Sequence, residues 1–263
     1  MVKVLGIPFD ANSSFLKGPA LAPPRIRLMD KDGSANVYAE NGSKIIEGDA
    51  YYDAGDLYFE TTHAEKAYGL IKQTVEENLN GSAKIISLGG DHSITYPIIE
   101  AYSKVYNRIN ILHIDAHADL YENFDNNPYS HASPFARIME NGLVNSLTQI
   151  GIRTLNEHQR EQAKKFNVSV IEMQDFNFNF LHKLEGPLYI SLDLDALDPA
   201  FAPGVSHHEP GGFTTRELVS IIQKIEVPVI GADIVEYNPT RDINNITAMV
   251  AYKLLKELIA KMI

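Results

Sequence analysis

Seven short apolar runs set the strongest limit on what this chain can fold into: residues 3–7, 84–88, 110–114, 146–150, 168–171, 188–194 and 227–233. They are rich in Val, Ile and Leu and lack the polar alternation of a strand with one wet face. Each therefore reads as a strand covered on both sides. Residues 64–79, 94–106, 155–165, 215–224 and 246–263 carry apolar positions at helical spacing. The last of these sets Val250, Leu254, Leu255, Leu258, Ile259 and Met262 on one face. Strands alternating with helices imply an α/β fold, with a central, mostly parallel sheet and helices on both faces. No repeat, low-complexity run or linker divides the chain, which predicts a single domain over residues 1–263. The proline-containing segment 18–60 is expected to form irregular surface loops.

Composition removes several functions. The chain has 263 residues and no cysteine, which excludes disulfides, thiolate metal sites and cysteine nucleophiles. A formal net charge of -11 repels phosphate backbones and anionic lipid, so neither nucleic acid nor membrane is an expected partner. No apolar window reaches the ~18 residues of a membrane span, and the opening run to Pro8 lacks a signal-peptide pattern. A cytoplasmic location is expected.

Three segments concentrate acids and histidines at the ends of predicted strands: Gly89-Gly90-Asp91-His92-Ser93, Asp115-Ala116-His117-Ala118-Asp119 and Ser191-Leu192-Asp193-Leu194-Asp195. Open parallel sheets gather ligands beyond the carboxyl ends of their strands, so the three can meet. On an extended chain, positions i, i+2 and i+4 share a face, which would align Asp115, His117 and Asp119, and separately Asp193 with Asp195. No Lys or Arg lies in these segments. Carboxylates and imidazoles converging without a counter-charge would repel and resist burial. Bound cations remove the conflict. His92, Asp115, His117, Asp119, Asp193 and Asp195 offer four carboxylates and two imidazoles, enough for two divalent ions. Oxygen-dominated ligation with some imidazole favours Mn²⁺, with Zn²⁺, Co²⁺ or Ni²⁺ as competitors. Taken singly, Gly-Gly-Asp-His reads equally as a capped turn, and Asp-x-Asp as a solvated one. Their coincidence at strand ends argues for metal.

With these motifs the sequence resembles the arginase and agmatinase family of ureohydrolases. Tyr129-Ser130-His131-Ala132-Ser133-Pro134-Phe135, Gly211-Gly212-Phe213-Thr214-Thr215-Arg216-Glu217 and Val235-Glu236-Tyr237-Asn238-Pro239 extend the match over most of the chain. The resemblance implies a sheet of about eight strands and a centre in which Asp115 and Asp193 bridge two ions. His92 and Asp119 would complete one ion, and His117 and Asp195 the other. It also implies hydrolysis of a guanidino group to urea and an amine. Two cations would acidify a shared water, and Asp119 would pass its proton to the leaving amine. His131 would shuttle protons to solvent, and Glu236 would hold the planar guanidinium. Family members are usually trimers or hexamers, so a homo-oligomer is expected.

Several residues have plainer readings. Ser133 is either a site residue or a helix cap. Asp91 and Asp233 are candidate supports for ligands. His113 reads as a packed strand residue, and His63, His158 and His182 as surface residues. For His207 and His208 the pocket mouth and an ordinary loop are equally good readings. Substrate choice rests on less. Arginases carry Asn at the position of Tyr121, which favours an agmatinase that cleaves agmatine to putrescine and urea. The loop acids Glu122 and Asp125 would suit a second cationic end. Val205-Ser206-His207-His208-Glu209 instead resembles formiminoglutamate hydrolases. Arginase, guanidinobutyrase or formiminoglutamase activity stays open, as does a non-catalytic metal-binding relative or a one-metal deacetylase-like amidohydrolase.

Overall fold

The computed structural model describes residues 1–33, 35–79 and 83–263. Eight strands form one sheet: β1 (Val2–Ile7), β2 (Tyr51–Asp56), β3 (Lys84–Gly89), β4 (Asn110–Ile114), β5 (Ser146–Ile152), β6 (Ser169–Glu172), β7 (Leu188–Asp193) and β8 (Val229–Val235). Their order is β2-β1-β3-β8-β7-β4-β5-β6, and every pairing is parallel. The seven apolar runs all become strands, for the reason their composition suggests. Along β7, Leu188, Ile190 and Leu192 enter one core cluster while Tyr189 enters the other. Period-two alternation thus divides an all-apolar strand between two buried faces.

Among the described residues, seven α-helices cover those faces. The helices α1 (Ala22–Lys31), α6 (Thr215–Lys224) and α7 (Ile246–Met262) pack over one cluster. On the other lie α2 (Ala64–Asn78), α3 (Thr95–Val105), α4 (Pro134–Glu140) and α5 (Glu157–Lys165). Local signals set their ends. Thr214 and Glu217 form a reciprocal capping box at the start of α6, and Asn156 caps α5 by accepting from Gln159 N–H. No described helix is long and apolar enough to cross a membrane.

The expectation of loops over residues 18–60 needs correction, because α1 and the edge strand β2 lie there. Pro23 and Pro24 sit in the first turn of α1, where a missing N–H costs nothing, and Ile26 and Met29 then bury on one face. In β2, Gly55 and two acids, Asp53 and Asp56, mask the strand signal, and β1 alone pairs with it.

Candidate metal centre and adjoining cavity

The strands β3, β8, β7 and β4 are consecutive in the sheet, and their carboxyl ends deliver every predicted site residue to one place. After β3 the chain passes directly over Phe9. A Cβ on Gly90 would lie 1.8 Å from the Phe9 carbonyl oxygen, so only glycine fits. His92 then opens a single 3-10 turn, capped by Asp91 through Ser93 N–H at 3.1 Å.

The extended-chain alignment expected for the acidic motifs does not hold. The strand β4 stops at Ile114, and the ligand segment bends, ending with Asp119 in the left-handed region at φ 50°. After β7, Asp195 lies in a 3-10 turn whose N–H donates to Asp193 Oδ1 at 2.7 Å. Bent segments bring the side chains together because Asp115 and Asp193 satisfy the turn N–H groups, Asp115 by accepting from His117 N–H at 2.6 Å.

The tautomer of His92 follows from its neighbours. Asp233 accepts from Ser191 Oγ at 2.7 Å, so Ser191 must accept from His92 Nε2–H at 2.9 Å. That leaves Nδ1 facing Asp115 Oδ2 at 3.1 Å and Asp119 Oδ2 and Asp193 Oδ2 at 3.2 Å each. Nδ1 is buried and makes a hydrogen bond to none of them. One imidazole nitrogen beside three carboxylate oxygens is a donor set for a cation. A second group adjoins it: His117 Nδ1 lies 3.1 Å from Asp195 Oδ2 and 3.4 Å from Asp115 Oδ1. The ligating atoms of Asp115, His117 and Asp195 all lie within 4.8 Å of one another. Asp115 therefore belongs to both groups.

Electrostatics agree with that reading. Burial, and then repulsion from Asp195 and Asp115, pushes the Asp193 carboxyl well up. Burial is also the largest influence on Asp195, raised to about 6. Burial opposes charge on His92, but the three carboxylates outweigh it and raise the imidazole well above its ordinary value. A bound cation would relieve the repulsion among these carboxylates. The donor set fits divalent metal.

Beside the metal groups lies a cavity of about 260 Å³. Glu236 stands at its wall, 3% exposed, with φ 63°. Its Oε1 accepts from His92 N–H at 2.9 Å and from His131 Nδ1 at 2.7 Å. Its Oε2 is buried without a partner, as an anchor for a cationic group requires. Burial works against charge on His131, yet the Glu236 carboxylate pushes it up to about 9. Burial likewise works against the Glu236 anion, and His131 brings it below its usual value.

Other expectations divide. Tyr121 and His207 line the cavity; His208 does not, being exposed and bonded to the Pro203 carbonyl at 2.7 Å. Glu122 and Asp125 point to solvent, so the acid at the mouth is Glu209 instead. Ser133 neither lines the cavity nor caps α4; its hydroxyl is buried without a partner. Asp233 supports His92 through Ser191. Asp91 supports the N-terminal loop, accepting from Asn12 N–H at 3.0 Å and Ser13 Oγ at 3.2 Å. His63, His158 and His182 are exposed. Sequence reasoning missed Ser14, whose hydroxyl lies 2.8 Å from His131 Nε2. Nothing in Asn12-Ser13-Ser14 marks it; only the fold returns this loop to residue 131. It also missed Arg153, which donates to the carbonyls of Asp195 at 2.8 Å and Glu209 at 3.0 Å, tying a ligand turn to the cavity mouth.

The arginase family profile matches residues 1–260. The chain belongs to the arginase family. It is 44% identical to arginase 1, mitochondrial, of Arabidopsis thaliana over 98% of this chain and 80% of that protein. Identity to the agmatinase of Bacillus anthracis is 32%, over 98% of this chain and 90% of the relative. The solved arginase from Medicago truncatula superposes with a TM-score of 0.92 at 41% identity, covering 99% of this chain and 87% of that one. The arginase-family chain is thus a ureohydrolase of a group that depends on a binuclear metal centre, and its clustered His and Asp side chains agree with that dependence.

Proposed function

We propose that the chain hydrolyses the guanidino group of arginine to urea and ornithine. The observation that carries this reading is the greater similarity to plant arginases, at 44% and 41% identity, than to the agmatinase of Bacillus anthracis, at 32%. It displaces the agmatine expected from Tyr121. The cavity mouth supports the change. Tyr121 accepts from Asn156 Nδ2 at 2.7 Å, which leaves its own O–H free to donate. With Ser14 and Glu209 it offers both donors and an acceptor. An amino-acid head carries a carboxylate and an ammonium and needs both, whereas agmatine's amine needs acceptors only.

In this reading His92, Asp115, His117, Asp119, Asp193 and Asp195 hold two divalent ions, with manganese the metal favoured by the donor set. Asp115 and Asp193 would be shared between the two ions. When bound, such ions lower the pKa of water toward neutrality. The chain's own residues do the rest. Glu236 Oε2, the oxygen without a partner, orients the guanidinium by a charge-assisted hydrogen bond. Asp119 receives the proton of the attacking water and gives it to the leaving nitrogen. His131, held between Glu236 and Ser14, moves a proton between that nitrogen and solvent. A cytoplasmic location and a homotrimeric or homohexameric assembly belong to the same proposal. The test is urea release from arginine and agmatine by manganese-loaded enzyme. A higher kcat/KM for arginine supports the reading; a preference for agmatine overturns it.

A further inference from the structure

Next to Asp115, and not among the residues that line the cavity, two buried polar side chains take no part in the chemistry described above. His113 and Gln149 face each other across the β4–β5 pair and are both 0% exposed. Gln149 Nε2 lies 2.6 Å from the Ala118 carbonyl oxygen and 2.9 Å from His113 Nδ1. His113 Nε2 lies 2.7 Å from Asp115 Oδ2. The directions of these bonds are forced in sequence. A backbone carbonyl only accepts, so the amide must turn its nitrogen toward Ala118. That nitrogen has two N–H groups; the second points at His113 Nδ1, which must then be the unprotonated ring nitrogen. The proton of the neutral ring is therefore on Nε2 and is donated to Asp115. The ring is held in place by Phe135, stacked at 3.9 Å between centroids and 26° between planes. Gln149 Oε1 is left buried without a partner, while both of its N–H groups are used.

His113, His92 and Asp115 are close enough to suggest a shared ion, but both His113 nitrogens are engaged in these bonds. We infer that Gln149 and His113 are positioning residues: a relay that starts at the Ala118 carbonyl, runs through both side chains and fixes the orientation of the Asp115 carboxylate. The relay closes the Asp115–Asp119 bend on itself, because Ala118 lies within the segment whose first residue it orients. It rests on the reading of Asp115 as a metal ligand shared by two ions. Such outer partners of ligands commonly change metal affinity by about 10–100-fold.

The test is a double-mutant cycle read by metal affinity. Manganese binding to purified wild-type protein, His113→Phe, Gln149→Leu and the double variant is measured by competition with a fluorescent chelator. His113→Phe keeps a ring against Phe135 and removes the donor to Asp115 together with the acceptor of the Gln149 N–H. It is expected to weaken at least one ion by about 10–100-fold. Gln149→Leu is expected to weaken the same ion by less. The double variant should match His113→Phe alone, since Gln149 acts through His113. Nitrogen-15 NMR of the imidazoles in metal-free and zinc-loaded protein reads the tautomer directly, and does not require either variant to fold. A proton on His113 Nε2 in both states is expected. Its loss on zinc loading would make His113 a ligand and overturn the inference, as would wild-type affinity in His113→Phe or additive losses in the double variant. Asp115→Ala separates the two levels. If it retains both ions, the ligand reading fails; if it loses them while His113→Phe does not, only the relay fails.

Discussion

Replacing Glu236 with Gln tests the substrate anchor with little change of shape. In the native site Oε1 serves two donors, His92 N–H at 2.9 Å and His131 Nδ1 at 2.7 Å, while Oε2 is buried and free. The variant keeps an oxygen for His92 but turns Oε2 into an N–H₂ group that repels a guanidinium. Hydrogen bonds to charged groups contribute about 1.5–3 kcal/mol, and ~1.4 kcal/mol is a factor of ten. Steady-state urea release should then show kcat/KM for arginine down by roughly 10–100-fold. A second effect concerns His131. The Glu236 charge raises this imidazole to about 9. Without that charge its pKa falls toward the ordinary value of about 6.5. Any step that needs protonated His131 should fail at lower pH in the variant than in the native enzyme. Metal content must be measured alongside, because Glu236 also touches the backbone of His92. A variant with full metal content, unchanged KM and an unchanged alkaline limb would refute both the anchor and the pairing.

Three further outcomes follow from the geometry. Gly90→Ala should cost about 4 kcal/mol or more, because the new Cβ would meet the Phe9 carbonyl oxygen at 1.8 Å; a melting temperature within a degree of native would contradict this. Protons compete with metal at Asp195, whose folded-state pKa is raised to about 6. Manganese affinity should fall as pH drops through 6, with proton uptake or release detected by calorimetry in buffers of different ionisation enthalpy; affinity flat from pH 7.5 to 5 would reject it. Arg153→Met should lower stability by about 1–3 kcal/mol by stranding the Asp195 and Glu209 carbonyls. It should also raise KM for arginine, and native values in both denaturant titration and kinetics would remove Arg153 from the site.

How far the chain could be read before folding depended on the kind of signal. The strands were legible because burial on both faces demands uninterrupted Val, Ile and Leu. The ligands were legible because acids and imidazoles rarely crowd together at strand ends unless a cation binds there. Helix α1 was hidden because Pro23 and Pro24 look like breakers unless they fall in a first turn. The bends at Asp115–Asp119 and Asp193–Asp195 were misjudged as extended chain, since i, i+2 spacing suits both. Ser14, Gln149 and Glu209 carry no local mark at all. Each matters through a neighbour tens of residues away, at 131, 113 or 153, and such proximity exists only in the folded chain. Tyr121 misled for a related reason: its chemistry at the mouth depends on Asn156 as much as on itself.

The order β3-β8-β7-β4 has a consequence for how the protein comes into being. Neighbours in space are distant in sequence: β8 inserts between β3 and β7, and it is the last strand made. Until residues 229–235 thread into the middle of the sheet, β3 and β7 have no common neighbour to align them. His92 is then remote from Ser191 and Asp193. Metal capacity should therefore arise late and abruptly during refolding, with completion of the sheet. A fragment ending before β8 should bind no ion tightly, although five of the six ligands lie on β4, β7 and the bends after them. Loading of the centre is in this sense a report on the last step of assembly.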